Sequence, residues 1–183
     1  YKKIYGISID AKNASLFKKA NIKQRIEKHF LLDLKNKTKF KKLISEIKPE
    51  IIIHLAAQSL VLEGYKNPHK TFDNNINSTI NILNSFVESK YSKKILITTT
   101  DKVYKTINKK AYNEEDILWG SDPYSASKVC VEQIVDSYRK LYHDKYKKIF
   151  FIVRSGNVIG GGDISKNRIV PDIIRSIKKK NSS

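Results

Sequence analysis

Tyr124 and Lys128 are the residues whose types and spacing point most directly to chemistry. They stand four apart in Asp122-Pro123-Tyr124-Ser125-Ala126-Ser127-Lys128, where Pro123 suits the first turn of a helix. On a helix, residues i and i+4 share a face. A phenol has a pKa of about 10, too high for a base at neutral pH. A neighbouring ammonium stabilises the phenolate and lowers that value. The pair then becomes a general acid/base usable near neutrality. Tyr-x-x-x-Lys arises by chance in many helices, so its setting matters. Thr100 lies 24 residues upstream, in Ile95-Leu96-Ile97-Thr98-Thr99-Thr100-Asp101-Lys102. There an apolar strand runs into polar residues at its C-terminal end. Ligands of open α/β sheets bind at that edge.

The elements that must position these residues alternate. Lys3 to Asp10 reads as a strand closed by an acid, and His29 to Leu32 as a second apolar run closed by Asp33. Leu16 to Ala20 is a short helical or loop segment. Lys37 to Ile47 carries Phe40, Leu43, Ile44 and Ile47 at helical spacing, and Pro49 stops it. Residues 50–55 form a strand that is apolar throughout, as one covered on both faces would be. The pattern repeats with a helix over 71–90, a strand over 94–98, a helix over 123–143, a strand over 149–153 and a last helix over 170–178. Strands alternating with amphipathic helices predict an α/β fold, with a parallel sheet and helices on both faces.

Composition bounds the possibilities. The 183 residues fit one domain, and 40% hydrophobic with 30% charged residues is enough for a core and excludes a disordered chain. No apolar run approaches the ~20 residues of a membrane span, so no membrane partner is expected. Tyr1-Lys2-Lys3-Ile4 does not lead into a secretory signal, and a single cysteine, Cys130, excludes an intrachain disulfide framework. A reducing, cytoplasmic setting is expected. Cys130 itself reads as a core position. The net charge of +18 suggests an acidic partner, but the lysines are spread along the whole chain. With no zinc-finger, RNP or KH signature, no specific nucleic-acid partner is expected. His54 ends a buried strand and reads as a packed or hydrogen-bonded histidine. It has no second His at ligand spacing, so no metal is expected.

Further segments match a known pattern in order. A strand-end hydroxyl followed by Tyr-x-x-x-Lys resembles the extended branch of the short-chain dehydrogenase/reductase superfamily. So do His54-Leu55-Ala56-Ala57-Gln58, Asn74-Asn75-Ile76-Asn77-Ser78-Thr79 (with Ser78 where the branch usually has Gly) and Arg154-Ser155-Gly156-Asn157-Val158-Ile159-Gly160. Within that branch, residues 54–61, 99–104, 122–128, 154–163 and Arg168-Ile169-Val170-Pro171-Asp172 resemble the CDP-glucose 4,6-dehydratase family. The resemblance implies a Rossmann-like doubly wound sheet. The strand and G-x-x-G-x-x-G turn with which that family begins have no counterpart in these residues. The same holds for its C-terminal substrate lobe. The chain therefore reads as the middle half of such an enzyme, a partial NAD-binding and catalytic domain over 1–183.

The resemblance also implies roles. The cofactor is NAD and the partner a nucleotide sugar, oxidised at C4, dehydrated across C5 and C6, then reduced at C6. Tyr124 takes the C4 hydroxyl proton, Lys128 lowers its pKa and holds the nicotinamide ribose, and Thr100 binds the same hydroxyl. Asp101 and Lys102 stand where the family places the acid and base of water elimination. Lys102 acts as a base only if burial or a nearby cation lowers its pKa from ~10.4. Asp10, Asp33, Leu34, Ala56, Ala57, Gln58 and Asn75 would join Tyr124 and Lys128 in holding the cofactor, and Gln58, Asn157 and Arg168 the substrate. A homodimer is expected for the full-length protein. The alternatives are a nucleotide-sugar 4-epimerase, which needs only the oxidation half, and a non-catalytic dinucleotide-binding fragment.

Overall fold

The computed structural model describes residues 3–9, 16–106 and 111–180. Its elements in chain order are β1 (Tyr5–Ser8), α1 (Leu16–Lys19), β2 (Lys28–Leu31), α2 (Lys37–Ile47), β3 (Ile51–His54), α3 (Val61–Lys66), α4 (Pro68–Phe72), α5 (Ser78–Glu88), β4 (Lys94–Thr100), α6 (Pro123–Tyr146), β5 (Ile149–Ser155) and α7 (Ile169–Lys180). The chain divides into two compact units, residues 1–33 with 157–183, and residues 34–156.

In the smaller unit β1 and β2 pair in parallel, Tyr5 opposite Lys28 and Ser8 opposite Leu31. His29 ties the pair through Ser8 Oγ, 2.9 Å from its Nε2, and its ring lies 4.5 Å from that of Phe17. Arg175 of α7 holds the preceding loop by donating to the carbonyls of Ile164 and Ser165 and to the Asp172 carboxylate. The apolar residues Ile169, Ile173 and Ile177 repeat every four positions along α7 and are exposed.

The larger unit holds three parallel strands in the order β3-β4-β5, with β4 in the middle. Ile53 pairs with Leu96 and Leu96 with Phe151, so these three project to one face. His54, Ile97 and Ile152 project to the other. On that second face Ile95, Ile97 and Phe150 are buried with Leu83 and Phe86 of α5 and Val131 and Val135 of α6. The Phe86 and Phe150 rings meet edge to face at 5.2 Å. The first face, by contrast, leaves Ile53, Phe151 and Val153 exposed within this unit.

Two departures from the sequence reading matter. Strand β4 runs on to Thr100, so all three threonines lie on the strand. The single helix expected over 71–90 is α4 and α5 joined through a π-helical turn at Asp73–Asn77. Such turns often mark functional sites. Helix α6 begins at a capping box: Asp122 Oδ1 accepts from the backbone N–H of Tyr124 and Ser125, while Asp122 N–H donates to Ser125 Oγ. Lysine 148, just past α6, is buried and donates at 2.5 Å to the carbonyls of Ser89 and Ser92, closing the C-terminal end of α5.

Helix α6 ends at Lys147, whose φ of 52° is left-handed. A side chain there costs about 1–2 kcal/mol relative to the right-handed region, a penalty glycine avoids. Lys147→Gly, offset by glycine's greater chain entropy, is expected to raise stability by roughly 0.5–1 kcal/mol. A urea titration measures it, and an unchanged or lower midpoint would contradict this account of the cap.

Candidate active site

The site is built on the buried face of α6. Tyr124, Lys128 and Glu132 recur every four residues and are 9%, 5% and 3% exposed. Burying a charge is costly unless it is paired. Lys128 Nζ donates to the Thr98 carbonyl at 3.0 Å, which places the ammonium against the C-terminal half of β4. Among the described residues this is its single hydrogen bond, although an ammonium has three donors. Burial pulls the Lys128 pKa down to about 8, against the opposing pull of the Glu132 carboxylate. The pair expected from the sequence is thus assembled next to the threonine strand.

Thr100 is buried at the end of β4 and caps the short turn Asp101–Val103, its Oγ accepting from Lys102 N–H at 3.3 Å. Its hydroxyl donates to Asp101 Oδ1 at 3.1 Å. The cap is Thr100 rather than Asp101, so the turn does not need the Asp101 carboxylate. Lys102 Nζ stands 3.4 Å from Asp101 Oδ1, and both side chains are exposed at the strand end.

The loop after β3 is fixed by two amides. Asn75, in the π turn, accepts from Gln58 N–H at 2.7 Å and donates to the Gln58 carbonyl at 3.1 Å and to Ser127 Oγ at 2.8 Å. Ser127 Oγ donates to the Tyr124 carbonyl at 2.6 Å. The Gln58 side chain donates to the Leu60 carbonyl and Thr71 Oγ and accepts from Leu60 N–H. Asn75 and Gln58, expected to hold ligand, thus have their side-chain amides engaged within the protein. Their amides are spent on a loop whose backbone groups would otherwise go unpaired. They position Ala56 and Ala57, which are exposed with methyl side chains at the end of β3. Leu34 belongs to the same unit, and its carbonyl accepts from Asn81 at 3.1 Å.

Asp33, Asn157 and Arg168 lie in the smaller unit, where Asp33 and Asn157 are exposed and Arg168 half-buried. Asp10 lies outside the described residues. Cys130, expected in the core, is on the exposed side of α6. Trp119 is 61% exposed, with Lys105 Nζ 5.3 Å from its ring centre. Gly120 beside it packs on the first turn of α6 so closely that a Cβ would lie 2.2 Å from Ala126 N.

Glu132, and its pairing with the motif residue Arg154, are what the sequence reading passes over. Arg154 donates to both carboxylate oxygens of Glu132, with Nη2 to Oε2 at 2.7 Å, and these bonds push its pKa further up. Thr99 Oγ donates to Glu132 Oε1 at 2.7 Å. The signal was present: an acid four residues after Lys128 continues the Tyr124–Lys128 face.

His54, buried at the end of β3, sits 3.1 Å through Nε2 from Thr79 Oγ, which itself donates to the Asn75 carbonyl. It packs and bonds, as its position implied. Burial first, and then the charge of Lys128, lower its pKa from 6.5 to about 4.

A parallel sheet with a buried Tyr-Lys pair at a strand end defines the Rossmann-like fold of nucleotide-sugar dehydratases and epimerases. A dTDP-glucose 4,6-dehydratase from Bacillus anthracis, solved in complex with NAD, matches at a TM-score of 0.79 and 20% identity, covering 97% of this chain and 53% of its own. Residues 2–181 match the GDP-mannose 4,6 dehydratase family, and the chain belongs to it. A CDP-glucose 4,6-dehydratase from Salmonella typhimurium is 34% identical over 96% of this chain and 50% of its own length. A UDP-glucose 4-epimerase from Pisum sativum is also 34% identical, over 66% of this chain and 34% of its own. The chain thus spans about half the length of the two dehydratases and about a third of the epimerase.

The neutral, buried state of His54 predicts acid sensitivity. Its folded pKa lies below its unfolded value, so its contribution is whole above pH 6.5. It is lost as the pH falls to about 4, roughly 3 kcal/mol in all. His54→Gln, which keeps a donor for Thr79, is expected to flatten the decline of the urea midpoint between pH 6.5 and 4. Equal slopes in both proteins would place the acid sensitivity elsewhere.

Proposed function

We propose that this chain is the catalytic core of an NAD-dependent nucleotide-sugar 4,6-dehydratase that takes CDP-glucose to CDP-4-keto-6-deoxyglucose. The observation that carries the reading is the buried Tyr124–Lys128 pair with its ammonium on the Thr98 carbonyl, two residues before Thr100. The Salmonella relative supports the choice of sugar nucleotide, and the NAD-containing Bacillus structure supports the cofactor. The residues present fit NAD. The two further donors of the Lys128 ammonium suit a ribose diol, and Ala56 and Ala57 leave room beside the end of β3. NAD, when bound, supplies the oxidation at sugar C4 and the matching reduction at C6.

The chain's own residues do the rest. Tyr124 as phenolate takes the proton of the C4 hydroxyl, with the Lys128 ammonium stabilising its charge. Thr100 exchanges its bond to Asp101 for one to the C4 oxygen. The C4 ketone acidifies the C5 proton. Elimination of water then falls to the Asp101–Lys102 pair exposed at the end of β4, with Asp101 as the proton donor to the departing C6 hydroxyl. The 4-epimerase reading draws on the Pisum relative. It is the weaker one, because epimerisation has no use for the Asp101–Lys102 pair.

Two outcomes test this in the whole protein. Tyr124→Phe is expected to lower turnover of CDP-glucose by about 10²-fold or more, followed by the ultraviolet absorbance of the 4-keto product in alkali. Activity within tenfold of wild type would sink the role of Tyr124, and conversion of UDP-glucose to UDP-galactose by the unaltered protein would favour the epimerase.

Asp101→Asn is expected to keep C4 oxidation and lose elimination, since the C6 hydroxyl then lacks its proton donor. General acid catalysis contributes about 10²–10⁴-fold. Absorbance near 340 nm should therefore rise and persist in a single turnover followed by stopped flow. Equal loss of the 340 nm signal and of product would assign Asp101 to binding or oxidation instead.

A further inference from the structure

Glu132 is buried below the Tyr124–Lys128 turn of α6 and bonds to both strands against which that helix packs. It lies one helical turn beyond Lys128 on the same buried face of α6. Its Oε1 accepts from Thr99, the neighbour of both Thr98, which takes the Lys128 ammonium, and Thr100. Both its oxygens accept from Arg154 of β5. Arg154 Nη1 continues to Tyr104 Oη and the Glu114 carbonyl, each at 3.1 Å, which ties down the segment that follows β4. One carboxylate thus joins α6, β4, β5 and the turn after β4.

A salt bridge of Arg154 and Glu132 alone would be met by any fold needing a buried tie. What sets it apart is its distribution of charge. The guanidinium approaches Glu132 from β5, while Lys128 shares the helix with it. The other titratable groups around the pair, among the described residues, are His54 from β3, Tyr104 from the turn after β4 and Tyr124 from α6 itself. Glu132 is the acid on that face, one turn from Lys128, and its charge opposes the fall of the Lys128 pKa.

We infer that Glu132 is a positioning residue for the acid/base pair, a buried carboxylate that keeps Lys128 charged beneath Tyr124 and fixes the threonine strand against it. This rests on the reading of Tyr124 and Lys128 as the acid/base pair. Without Glu132 the buried ammonium loses its proton at lower pH, and the phenolate loses its support over the working range. The sign separates this role from a packing role. Loosening the core would let water reach Lys128 and raise its titration midpoint towards that of a free lysine. Removing the carboxylate charge lowers the midpoint.

The test is titration of Lys128 in the whole protein by carbon NMR of ε-labelled lysine, its signal identified by loss in Lys128→Met. Glu132→Gln is expected to lower the midpoint by about one pH unit, and Glu132→Asp to restore it. The alkaline limb of the C4 oxidation rate should move to lower pH in step. A midpoint that is unchanged or raised in Glu132→Gln overturns the inference whatever the protein catalyses. A lowered midpoint with the alkaline limb unmoved overturns the reading of Lys128 as the partner of Tyr124, and with it the catalytic part of the inference. If Glu132→Gln fails to fold, Glu132→Leu with Arg154→Met removes both charges and leaves an apolar core that such pairs often tolerate. A smaller fall in the midpoint is expected there, because the repulsion of the Arg154 guanidinium is removed together with the attraction of Glu132, and a rise would overturn the inference.

Discussion

Three polar side chains buried on one face of α6 are the constraint from which the site follows. A helix that packs Tyr124, Lys128 and Glu132 against a sheet must supply each charge with a partner, or it does not pack. The partners come from consecutive residues of β4, the carbonyl of Thr98 and the hydroxyl of Thr99, and from Arg154 on β5. Satisfying them sets where α6 lies along the strands, and so sets where the phenol stands relative to Thr100. An apolar face would have tolerated sliding by a fraction of a turn. A face of directed hydrogen bonds does not.

A second chain of bonds reaches the same helix at its first turns. Gln58, Asn75 and Ser127 link the loop after β3 to the Tyr124 carbonyl. These are neutral amide and hydroxyl groups, and they act on backbone rather than on charge. The tyrosine is therefore located twice, through its carbonyl by the loop network and through its helix by the ionic one. The groups left at the surface, Asp101 and Lys102, lie outside both networks, where their bonds can be exchanged.

Much of this was legible in the sequence. The strands and long helices followed from apolar periodicity, and the spacing of Tyr124, Lys128 and Thr100 carried the pair and its strand. What the sequence hid was direction. Asn75 and Gln58 sit in segments whose pattern suggests ligand contact, and no periodicity reveals that their amides also join the loop after β3 to the π turn and to α6. Cys130 looked apolar by type, yet the buried face of α6 is occupied at 127, 128, 131 and 132 by polar and apolar residues together, which leaves 130 outside. Periodicity of hydrophobic residues cannot reveal a buried face that is itself half polar. That is also why Glu132 escaped notice although it stands in register with the pair.

The π-helical turn at Asp73–Asn77 has a consequence for how this segment can vary among related sequences. A π turn holds one residue more than the α-helical turn it replaces, so the extra residue is absorbed locally and the flanking helices keep their facing. Deleting a single residue there would restore the ordinary pitch with both flanks in place, but the residues of the turn itself would face other ways. Asn75 would then lose its place toward Gln58 and Ser127 while Ile82, Leu83 and Phe86 kept theirs in the core. The segment is thus constrained in length more tightly than in identity. Substitutions along its outer side are absorbed, whereas a change of one in its residue count is not.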